Sequence, residues 1–561
     1  MPRIISSLLI FFLLGCQNID LKQTGLITDQ AMVVTAHPLA SEVGISILKQ
    51  GGNAVDAAIA VQFALAVVYP DAGNIGGGGF LVIRQHNGLT DALDYREEAP
   101  AAAHKDMYLD QEGNVMEQLS IMGHLASGTP GTVDGMVKAH EKYGRMSWKK
   151  LVQPAAVLAE KGFPLTKKEA RKLNDERDNF IKYNIELPEF ILKDRWKEGD
   201  TLRLQELAKT LERIRDHGRA GFYEGTTAEL IENEMKKGGG IISKQDLSSY
   251  HSVWRKPVRG NAFGYEIISM PPPSSGGIAL LQLLKITGDY PVKDWGYHSV
   301  EKAHLMIEAE RRVYADRAQY LGDPDFYDVP VVELLDPDYL KKRMENFSLK
   351  SSSSSDAISA GAPLAYEGPN TTHYSIIDQD GNAVSVTTTL NTSFGSKVFV
   401  TGAGFLLNNQ MDDFSVKPGH PNTYGLVGGE ANAIAPNKRM LSSMTPAILE
   451  KDGKLAMVIG SMGGSTIITT VYQIILNVIV HDFSMQGAVN AGRFHHQWLP
   501  DWVVSEVGAL GFGRSIKLWF KGHKIAPALD GIGRAAGIKV LPDGRLEGGA
   551  DPRGDDASAG F

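Results

Sequence analysis

Cysteine is almost absent from this sequence, since Cys16 is the only one among 561 residues. A disulfide within one chain needs two cysteines, so none can form here. Basic charge is also scarce, because 57 Lys and Arg residues stand against 65 Asp and Glu residues, for a net charge of −8. No long basic block breaks this balance, and we therefore do not expect nucleic acid as a partner.

Long hydrophobic runs are missing as well. The stretch Ile4–Leu14 follows Arg3 and contains two serines; it is shorter than the roughly 20 residues of a membrane-spanning helix. Its length suits the apolar centre of a signal peptide. Gly15 and Cys16 then resemble a bacterial lipoprotein box, which predicts a signal peptide over 1–15 and a lipid on Cys16. A plain secretory signal is the alternative. We expect an exported, periplasmic protein, tethered to the membrane only through that lipid.

Glycine, by contrast, is abundant, with 60 residues clustered in short motifs. Gly76–Gly79 form the densest cluster and lead into the apolar segment Phe80–Arg84. A phosphate-binding P-loop runs from strand to helix and ends in Lys-Ser/Thr, and neither feature is present here. We therefore reject a nucleotide site and expect no cofactor.

The order of patterns along the chain predicts a layered α+β fold. An amphipathic helix ends at Gly51-Gly52, and an Ala-rich helix of about Val55–Val68 is apolar nearly all round, which favours burial. Residues 130–250 are charged and mostly helical in pattern. After residue 371 short apolar runs alternate with glycine turns. We expect helices packed on stacked antiparallel sheets.

Residues 350–370 differ from everything around them. Five consecutive serines are followed by Gly, Pro and Ala, a composition typical of a flexible or disordered segment. The segment ends where a well-marked strand begins, which is the arrangement expected at a site of proteolytic processing.

The hairpin that follows, within residues 368–391, is unusually rich in threonine. Asp380-Gly381-Asn382 supplies the turn, and Ala383–Leu390 continues as a β-branched run. A threonine hydroxyl is a weak nucleophile, but a free α-amine on the same residue can take its proton. If the chain were cut before Thr371, that residue would carry both groups. The pattern alone leaves open whether these threonines are only good strand formers.

One stretch resembles a known family position by position. Residues 371–395, "TTHYSIIDQDGNAVSVTTTLNTSFG", are similar to the signature of the γ-glutamyltransferase (γ-glutamyl transpeptidase) family of N-terminal nucleophile hydrolases. Further motifs follow in the family's order, including "GGNAVDAAIAV", "AGNIGGGGF", "DYREEAP", "GTPGTVDGM", "MPPPSSGGI", "LGDPDF", "LLNNQMDDFS", "PNKRMLSSMTP", "GSMGGS", "RFHHQWLPD" and "DPRGDD".

The resemblance implies a four-layer αββα sandwich of two stacked antiparallel sheets between helical layers. It also implies a precursor that cuts itself between Asn370 and Thr371. A large subunit, 16–370, and a small subunit, 371–561, would then form one globular unit as a heterodimer. Thr371 would be the nucleophile of the processed enzyme, and Thr389 the threonine whose hydroxyl supports it.

The resemblance assigns roles in substrate binding to several further residues. A γ-glutamyl group carries an α-carboxylate, which Arg96 would clamp, with Ser442 and Ser443 as added donors. Asp413 would take the α-ammonium, with Asn391 and Gln410 as neutral partners. Without the family, Arg96 between its acidic neighbours is better interpreted as part of a surface ion pair, and Asp413 as a turn or cap residue.

Two glycines and one loop complete the implied site. Gly463 and Gly464 resemble the family's oxyanion hole, where small residues let backbone N–H groups approach a developing charge. Residues 418–429 match a lid loop in which Tyr424 would contact Asn391. His495 and His496 are adjacent and lack metal-ligand spacing. We expect them to be structural, with no metal site.

The expected activity is transfer of the γ-glutamyl group of glutathione or a related amide. Thr371 would form a γ-glutamyl ester, which water or the amine of an amino acid or dipeptide would resolve. A cephalosporin or glutaryl acylase of the same superfamily is the first alternative. An uncut, lipid-tethered protein that only binds γ-glutamyl peptides is the second.

Overall fold

Two seven-stranded antiparallel sheets organise the residues that this computed structural model describes, 21–116, 118–358 and 371–561. The strands of these residues are β1 Ile27–Thr28, β2 Met32–Thr35, β3 Gly78–Arg84, β4 Thr90–Tyr95, β5 Phe163–Pro164, β6 Thr201–Leu202, β7 Val253–Arg255, β8 Val258–Ala262, β9 Tyr265–Ser269, β10 Thr372–Ile377, β11 Ala383–Thr389, β12 Phe399–Val400, β13 Phe405–Leu406, β14 Ala447–Lys451, β15 Lys454–Met462, β16 Phe494–His495, β17 Val503–Glu506, β18 Ile525–Ala528, β19 Arg534–Val540, β20 Leu546–Ala550 and β21 Ala557–Gly560.

The first sheet has the order β21-β2-β10-β11-β3-β4-β7, and the second has the order β1-β20-β19-β15-β14-β9-β8. The α-helices of the described residues are Pro38–Lys49, Ala54–Val68, Thr132–Tyr143, Trp148–Lys161, Lys167–Asp175, Arg177–Tyr183, Gln205–His217, Ala220–Tyr223, Gly225–Gly238, Lys244–Ser249, Gly276–Gly288, Val292–Trp295, Val300–Tyr320, Val331–Leu334, Pro337–Arg343, Ile467–Ile479, Met485–Asn490 and Gly511–Phe520.

The predicted hairpin forms the centre of the first sheet. Strands β10 and β11 pair from Thr372↔Thr388 to Ile377↔Ala383. The Asp378 carboxylate accepts from the backbone N–H groups of Asp380 and Asn382, which holds the turn. Because β2 and β3 flank this hairpin, both of its strands are internal, and the residue just before β10 is held at a fixed place in the fold.

Side-chain alternation along the strands separates the layers. On β3, Leu81 and Ile83 pack into a core shared with helices Pro38–Lys49 and Ala54–Val68, whereas Phe80 and Val82 pack into a core shared with the second sheet. That second core also includes residues of helices Gly276–Gly288, Val300–Tyr320 and Ile467–Ile479. The order is therefore helices, sheet, sheet, helices, which confirms the predicted αββα sandwich.

The Ala-rich helix Ala54–Val68 is fully buried, as its all-round apolar pattern predicts. It begins with a capping box, in which Asn53 Oδ1 accepts from the Asp56 N–H at 2.9 Å and Asp56 Oδ2 accepts from the Asn53 N–H at 3.0 Å.

The serine-rich segment differs from expectation where it is described. Ser355 is buried and donates its hydroxyl to the Trp498 carbonyl at 2.6 Å, while its N–H donates to Asp501 at 3.1 Å. Arg312 adds a contact to Ser353 Oγ at 2.9 Å. Ser353 and Ser355 are therefore held on the folded body by polar partners, while Ser354, Asp356 and Ala357 between and after them are exposed. Residues 359–370, Asn370 among them, lie outside the described residues, as do 1–15 and Cys16.

Within the described ranges, no helix combines the length and the apolar character that crossing a bilayer requires.

The motifs "RFHHQWLPD" and "DPRGDD" meet in a buried ion pair. Arg493 Nη2 lies 2.8 Å from Asp551 Oδ2, and both side chains are buried. Burial alone would raise the pKa of Asp551, but Arg493 and Arg553 hold it below its usual value of 3.8. Arg493 also donates to the carbonyl of Gly533 at 3.1 Å, so the pair braces the loop beside Gly463.

We expect Asp551→Asn to lower the free energy of unfolding by about 3 kcal/mol at neutral pH, because it leaves Arg493 buried without its anion. The pKa of Asp551 is depressed on folding, so its contribution is complete above about pH 4 and is lost on further acidification. Urea unfolding at pH 7 and pH 3 measures both effects. Asp543→Asn, in an exposed pair with Arg545, is the matched control and should change neither the free energy of unfolding at pH 7 nor its dependence on pH. Equal losses of stability in the two variants would contradict the prediction.

Candidate active site

Thr371 immediately precedes β10 and is buried. Its Oγ1 lies 3.4 Å from Oγ1 of Thr389, the last residue of the partner strand β11. Thr389 Oγ1 in turn accepts from the backbone N–H of Asn391 at 2.7 Å. The hairpin register therefore places two threonine hydroxyls side by side, as the sequence predicts, and orders the second by a backbone donor.

A cleft of about 300 Å³ opens beside Thr371. It collects most of the residues that the sequence singled out, although they are scattered over several hundred positions. Its walls are formed by Arg96, Arg317, Thr371, Thr389, Asn391, Asp413, Tyr424, Leu426, Ser442, Ser443, Met444, Gly464 and Ile467.

An arginine and an aspartate form the charged end of the cleft. Arg96 Nη2 lies 2.5 Å from Asp413 Oδ2, and the guanidinium also donates to the carbonyls of Met440 and Leu441, at 3.3 and 3.2 Å. Burial raises the pKa of Asp413, and Arg96 opposes this rise. A ligand carrying both a carboxylate and an ammonium group matches this pair charge for charge.

Arg317 is a second guanidinium in the cleft, and the sequence analysis missed it. It lies in helix Val300–Tyr320 and donates to Ser443 Oγ at 3.1 Å and to Ser275 Oγ at 2.9 Å. Burial lowers its pKa to about 10, so it stays cationic at neutral pH. One more charged residue in a helix rich in charge does not indicate a binding role from the sequence alone. The role of Arg317 becomes visible only because the structure buries this helix on both sides.

The glycine pair lies at the start of helix Ile467–Ile479. Gly464 forms part of the cleft wall with a φ of +53°, and a Cβ there would approach the Tyr424 ring to 2.5 Å. Gly463, at φ +140°, precedes it and accepts from the Thr466 N–H at 3.0 Å. Both conformations favour glycine, and Gly464 presents its backbone to the cleft, whereas Gly463 is not part of the cleft wall.

The predicted lid loop, residues 418–429, is closed over the cleft. The Tyr424 hydroxyl donates to the Asn391 carbonyl, and the Thr423 N–H donates to Asp412 Oδ2 at 2.8 Å. Gln497 Nε2 donates to the Tyr424 carbonyl at 2.9 Å. Asn391 adopts φ +81°, a left-handed conformation that asparagine tolerates. The predicted contact between Tyr424 and Asn391 is present.

Gln410 does not reach the cleft wall. It is fully buried one turn before Asp413, and neither atom of its side-chain amide has a hydrogen-bond partner among the described residues. Its predicted place beside a ligand ammonium is therefore not what this structure displays.

The histidine pair is engaged in hydrogen bonds. His495 contacts Thr469 Oγ1 at 2.8 Å and Gln497 Oε1 at 2.9 Å. His496 accepts from the Trp498 N–H at 3.1 Å and contacts Asp501 at 3.2 Å. Burial lowers the pKa of both to about 4, so they are neutral. Both ring nitrogens of each histidine already have a partner.

One other group of side chains has the composition of a metal site. His304 Nδ1 and His523 Nε2 lie 2.7 Å apart beside Glu308. The separation is that of a hydrogen bond between the two rings, and Glu308 is paired with Arg311 and Arg312. The carboxylate charge is already compensated, so the group forms a buried hydrogen-bond network.

Comparison with known proteins supports this interpretation of the fold. The chain matches the family model for gamma-glutamyltranspeptidase over residues 40–561. It is 49% identical over 539 residues to the glutathione hydrolase proenzyme of Escherichia coli (strain K12), which covers 95% of this chain and 92% of that protein.

Two solved structures share the architecture. A cephalosporin acylase from Bacillus halodurans superposes with a TM-score of 0.85 at 28% identity, over 96% of this chain and 97% of that one. The gamma-glutamyltranspeptidase of Helicobacter pylori is 47% identical with a TM-score of 0.57, over 59% of this chain and 96% of that one. The fold is that of the N-terminal nucleophile hydrolases.

Family membership follows from the extent of these matches. The chain belongs to the gamma-glutamyltranspeptidase family.

Proposed function

We propose that this protein is a self-processing γ-glutamyltransferase and glutathione hydrolase. One observation carries the proposal: a single cleft joins the Thr371 hydroxyl to the Arg96–Asp413 pair. The first group suits attack on an amide, and the second suits the amino-acid end of a γ-glutamyl substrate. The glutathione hydrolase named above, with its 49% identity, supports the same substrate.

Processing would begin with attack by Thr371 Oγ1 on the carbonyl carbon of Asn370. The C–N bond to Thr371 breaks as the new C–O bond forms, which moves the acyl group from nitrogen to oxygen and frees the Thr371 amine. Water then hydrolyses the ester. The products are the subunits 16–370 and 371–561, which remain together as one folded unit.

Catalysis repeats this chemistry on the substrate. The free Thr371 amine takes the hydroxyl proton while Oγ1 attacks the γ-carbonyl, and the departing amine receives the proton. The Thr389 hydroxyl, 3.4 Å away, positions the nucleophile. Backbone N–H groups of Gly463 and Gly464 stabilise the oxyanion. Water, or the α-amine of an amino acid or dipeptide, releases the γ-glutamyl group from the ester.

The charged end of the cleft selects the substrate. Arg96 binds the α-carboxylate, and Ser442 and Ser443 lie beside it. Arg317 donates to Ser443 Oγ and adds a second positive charge to this end of the cleft. Asp413 binds the α-ammonium. A glutaryl group has no α-ammonium and would leave Asp413 unmatched, so this pair favours γ-glutamyl transfer over glutaryl acylase activity, although an acylase shares the fold.

A lipid on Cys16 would hold the exported enzyme at a membrane surface. Cys16 lies outside the described residues, so the sequence pattern Gly15-Cys16 is the support for this part of the proposal.

Intact mass under denaturing conditions, with N-terminal sequencing, tests the proposal directly. We expect two chains, the smaller beginning Thr-Thr-His-Tyr, and turnover of a γ-glutamyl anilide. A single uncut chain from a folded sample, without turnover, would instead support the binding-protein alternative. Two chains that hydrolyse a glutaryl anilide as fast as the γ-glutamyl anilide would support the acylase.

The lid contact gives a further prediction. Tyr424→Phe removes one hydrogen bond, to the Asn391 carbonyl, and should lower kcat/KM about fivefold, as expected for roughly 1 kcal/mol. Looser closure admits water, so hydrolysis should gain at the expense of transfer to an added dipeptide. Product analysis at fixed acceptor concentration measures the ratio. Tyr327→Phe, at an exposed tyrosine, is the control, and identical ratios for both variants would refute the role of Tyr424.

A further inference from the structure

Helix Gly511–Phe520 exposes an apolar face to solvent on the far side from its buried contacts. Trp519 and Phe520 are 63% and 77% exposed, and Ile516 is 38% exposed. Leu518 is the one fully buried residue of this helix. Large exposed aromatics grouped in this way are uncommon on a protein surface and indicate an interaction site.

The exposed apolar residues share one side of the helix. Phe512, Ile516, Trp519 and Phe520 follow the spacing i, i+4, i+7 and i+8, which brings them onto one stripe. The rings of Trp519 and Phe520 are 5.1 Å apart. Leu518 falls on the opposite side and attaches the helix to the body of the protein, so the stripe faces outward.

The charge of this region contrasts with that of the chain. Residues 507–529 contain no Asp or Glu, although the whole chain has a net charge of −8. The same residues carry the cations Arg514, Lys517, Lys521 and Lys524. Lys517 and Lys524 are exposed. This segment is therefore apolar along one side of the helix, and its formal charges are all positive.

We propose that this face docks on the surface of an anionic lipid bilayer. Aromatic side chains bury readily at the level of the lipid headgroups, and lysines beside them pair with anionic headgroups. Protein–protein interfaces are depleted in lysine, which makes a protein partner the weaker fit to this mixture. The helix would lie flat in the interface rather than cross the membrane.

The path of the chain supports the same orientation. Leu21, the first described residue, accepts at its carbonyl from Ser484 Oγ at 3.4 Å. Next to Ser484, the Phe483 ring packs 4.8 Å from the ring of Tyr297. The neighbouring His298 carbonyl accepts from Arg514 of the exposed helix at 3.4 Å. Leu21 is thus linked to the exposed helix only indirectly, through Ser484, Phe483 and the Tyr297-His298 pair.

A lipid on Cys16 would reinforce docking. The five residues from Cys16 to Leu21 reach at most about 18 Å when extended, so a lipid there would keep Leu21 within that distance of the bilayer. This support depends on the tether proposed above; the argument from the helix itself does not.

Fluorescence quenching by brominated acyl chains tests the proposal with the full chain. Vesicles rich in phosphatidylglycerol should quench tryptophan emission, and Trp519→Phe should remove most of the quenched signal while keeping the surface apolar. Trp254→Phe is the matched control, because Trp254 is a half-buried tryptophan on β7, at the edge of the first sheet. This variant should leave the quenching intact. Quenching that survives Trp519→Phe would overturn the assignment.

Charge reversal separates docking from tethering. Lys517→Glu with Lys524→Glu should reduce quenching to the level found with phosphatidylcholine vesicles, whether or not a lipid holds the protein there. Lys341→Glu with Lys342→Glu changes the net charge equally on another exposed helix and should have no effect. Equal responses from both pairs, or no quenching of the parent protein, would refute the proposal. γ-Glutamyl turnover, measured in parallel, reports on the active site alone.

Discussion

Thr371→Ala is expected to leave the precursor uncut and to abolish turnover of a γ-glutamyl anilide. In the proposed mechanism the Thr371 hydroxyl attacks the Asn370 carbonyl and cleavage frees the amine that serves as base, so the variant would lack both groups. Removal of a catalytic nucleophile costs on the order of 10⁴-fold or more in rate. Intact mass and single-turnover assays measure the two losses on the same sample.

Thr371→Ser is the matched control because it keeps the hydroxyl and removes only a methyl group. It should process, if more slowly, and retain measurable activity. Thr389→Ala should still process, because the role we propose for Thr389 is to position the nucleophile and not to bond to the substrate, but it should be slower in both steps. Cleavage at the same bond in Thr371→Ala, or turnover within tenfold of the parent, would show that another residue is the nucleophile.

Much of the site is predictable from sequence because its key residues lie in short, distinctive segments. The hairpin from Thr372 to Thr389 is specified locally, by a turn at Gly381 and by alternating strands, so Thr371 and Thr389 meet by register alone. The glycines at 463 and 464 signal close backbone approach in the same way. The αββα architecture and the family follow from the same segments.

Other features depend on contacts that no local pattern encodes. Arg317 enters the cleft because a 21-residue helix is buried on both sides, which charged residues along it do not indicate. Serines 353 and 355 read as a flexible linker, yet they are packed because Arg311, Arg312 and Asp501 bond to them from distant segments. Gln410 fits the family pattern, but its side chain is buried away from the cleft wall.

In the proposed site, substrate selection rests most heavily on Asp413, and Asp413→Asn should change it most. The substitution keeps the shape of the side chain and removes the charge that faces the α-ammonium. We expect kcat/KM for a γ-glutamyl anilide to fall about 100-fold or more, as when one partner of a buried charge pair is removed. A glutaryl anilide lacks the ammonium, so its kcat/KM should be unchanged or higher, and the ratio between the two substrates should collapse.

The ratio distinguishes recognition from structural support. Asp413 also pairs with Arg96 at 2.5 Å; if holding Arg96 were its only role, both substrates would lose activity together. Asp412→Asn supplies the control, because this neighbour is buried and bonded to Ser120 and Thr423 but does not line the cleft. It should lower stability and affect both substrates alike. If Asp413→Asn lowered kcat/KM for the glutaryl anilide as much as for the γ-glutamyl anilide, recognition of the α-ammonium could not explain the effect. The acylase alternative would then be open again.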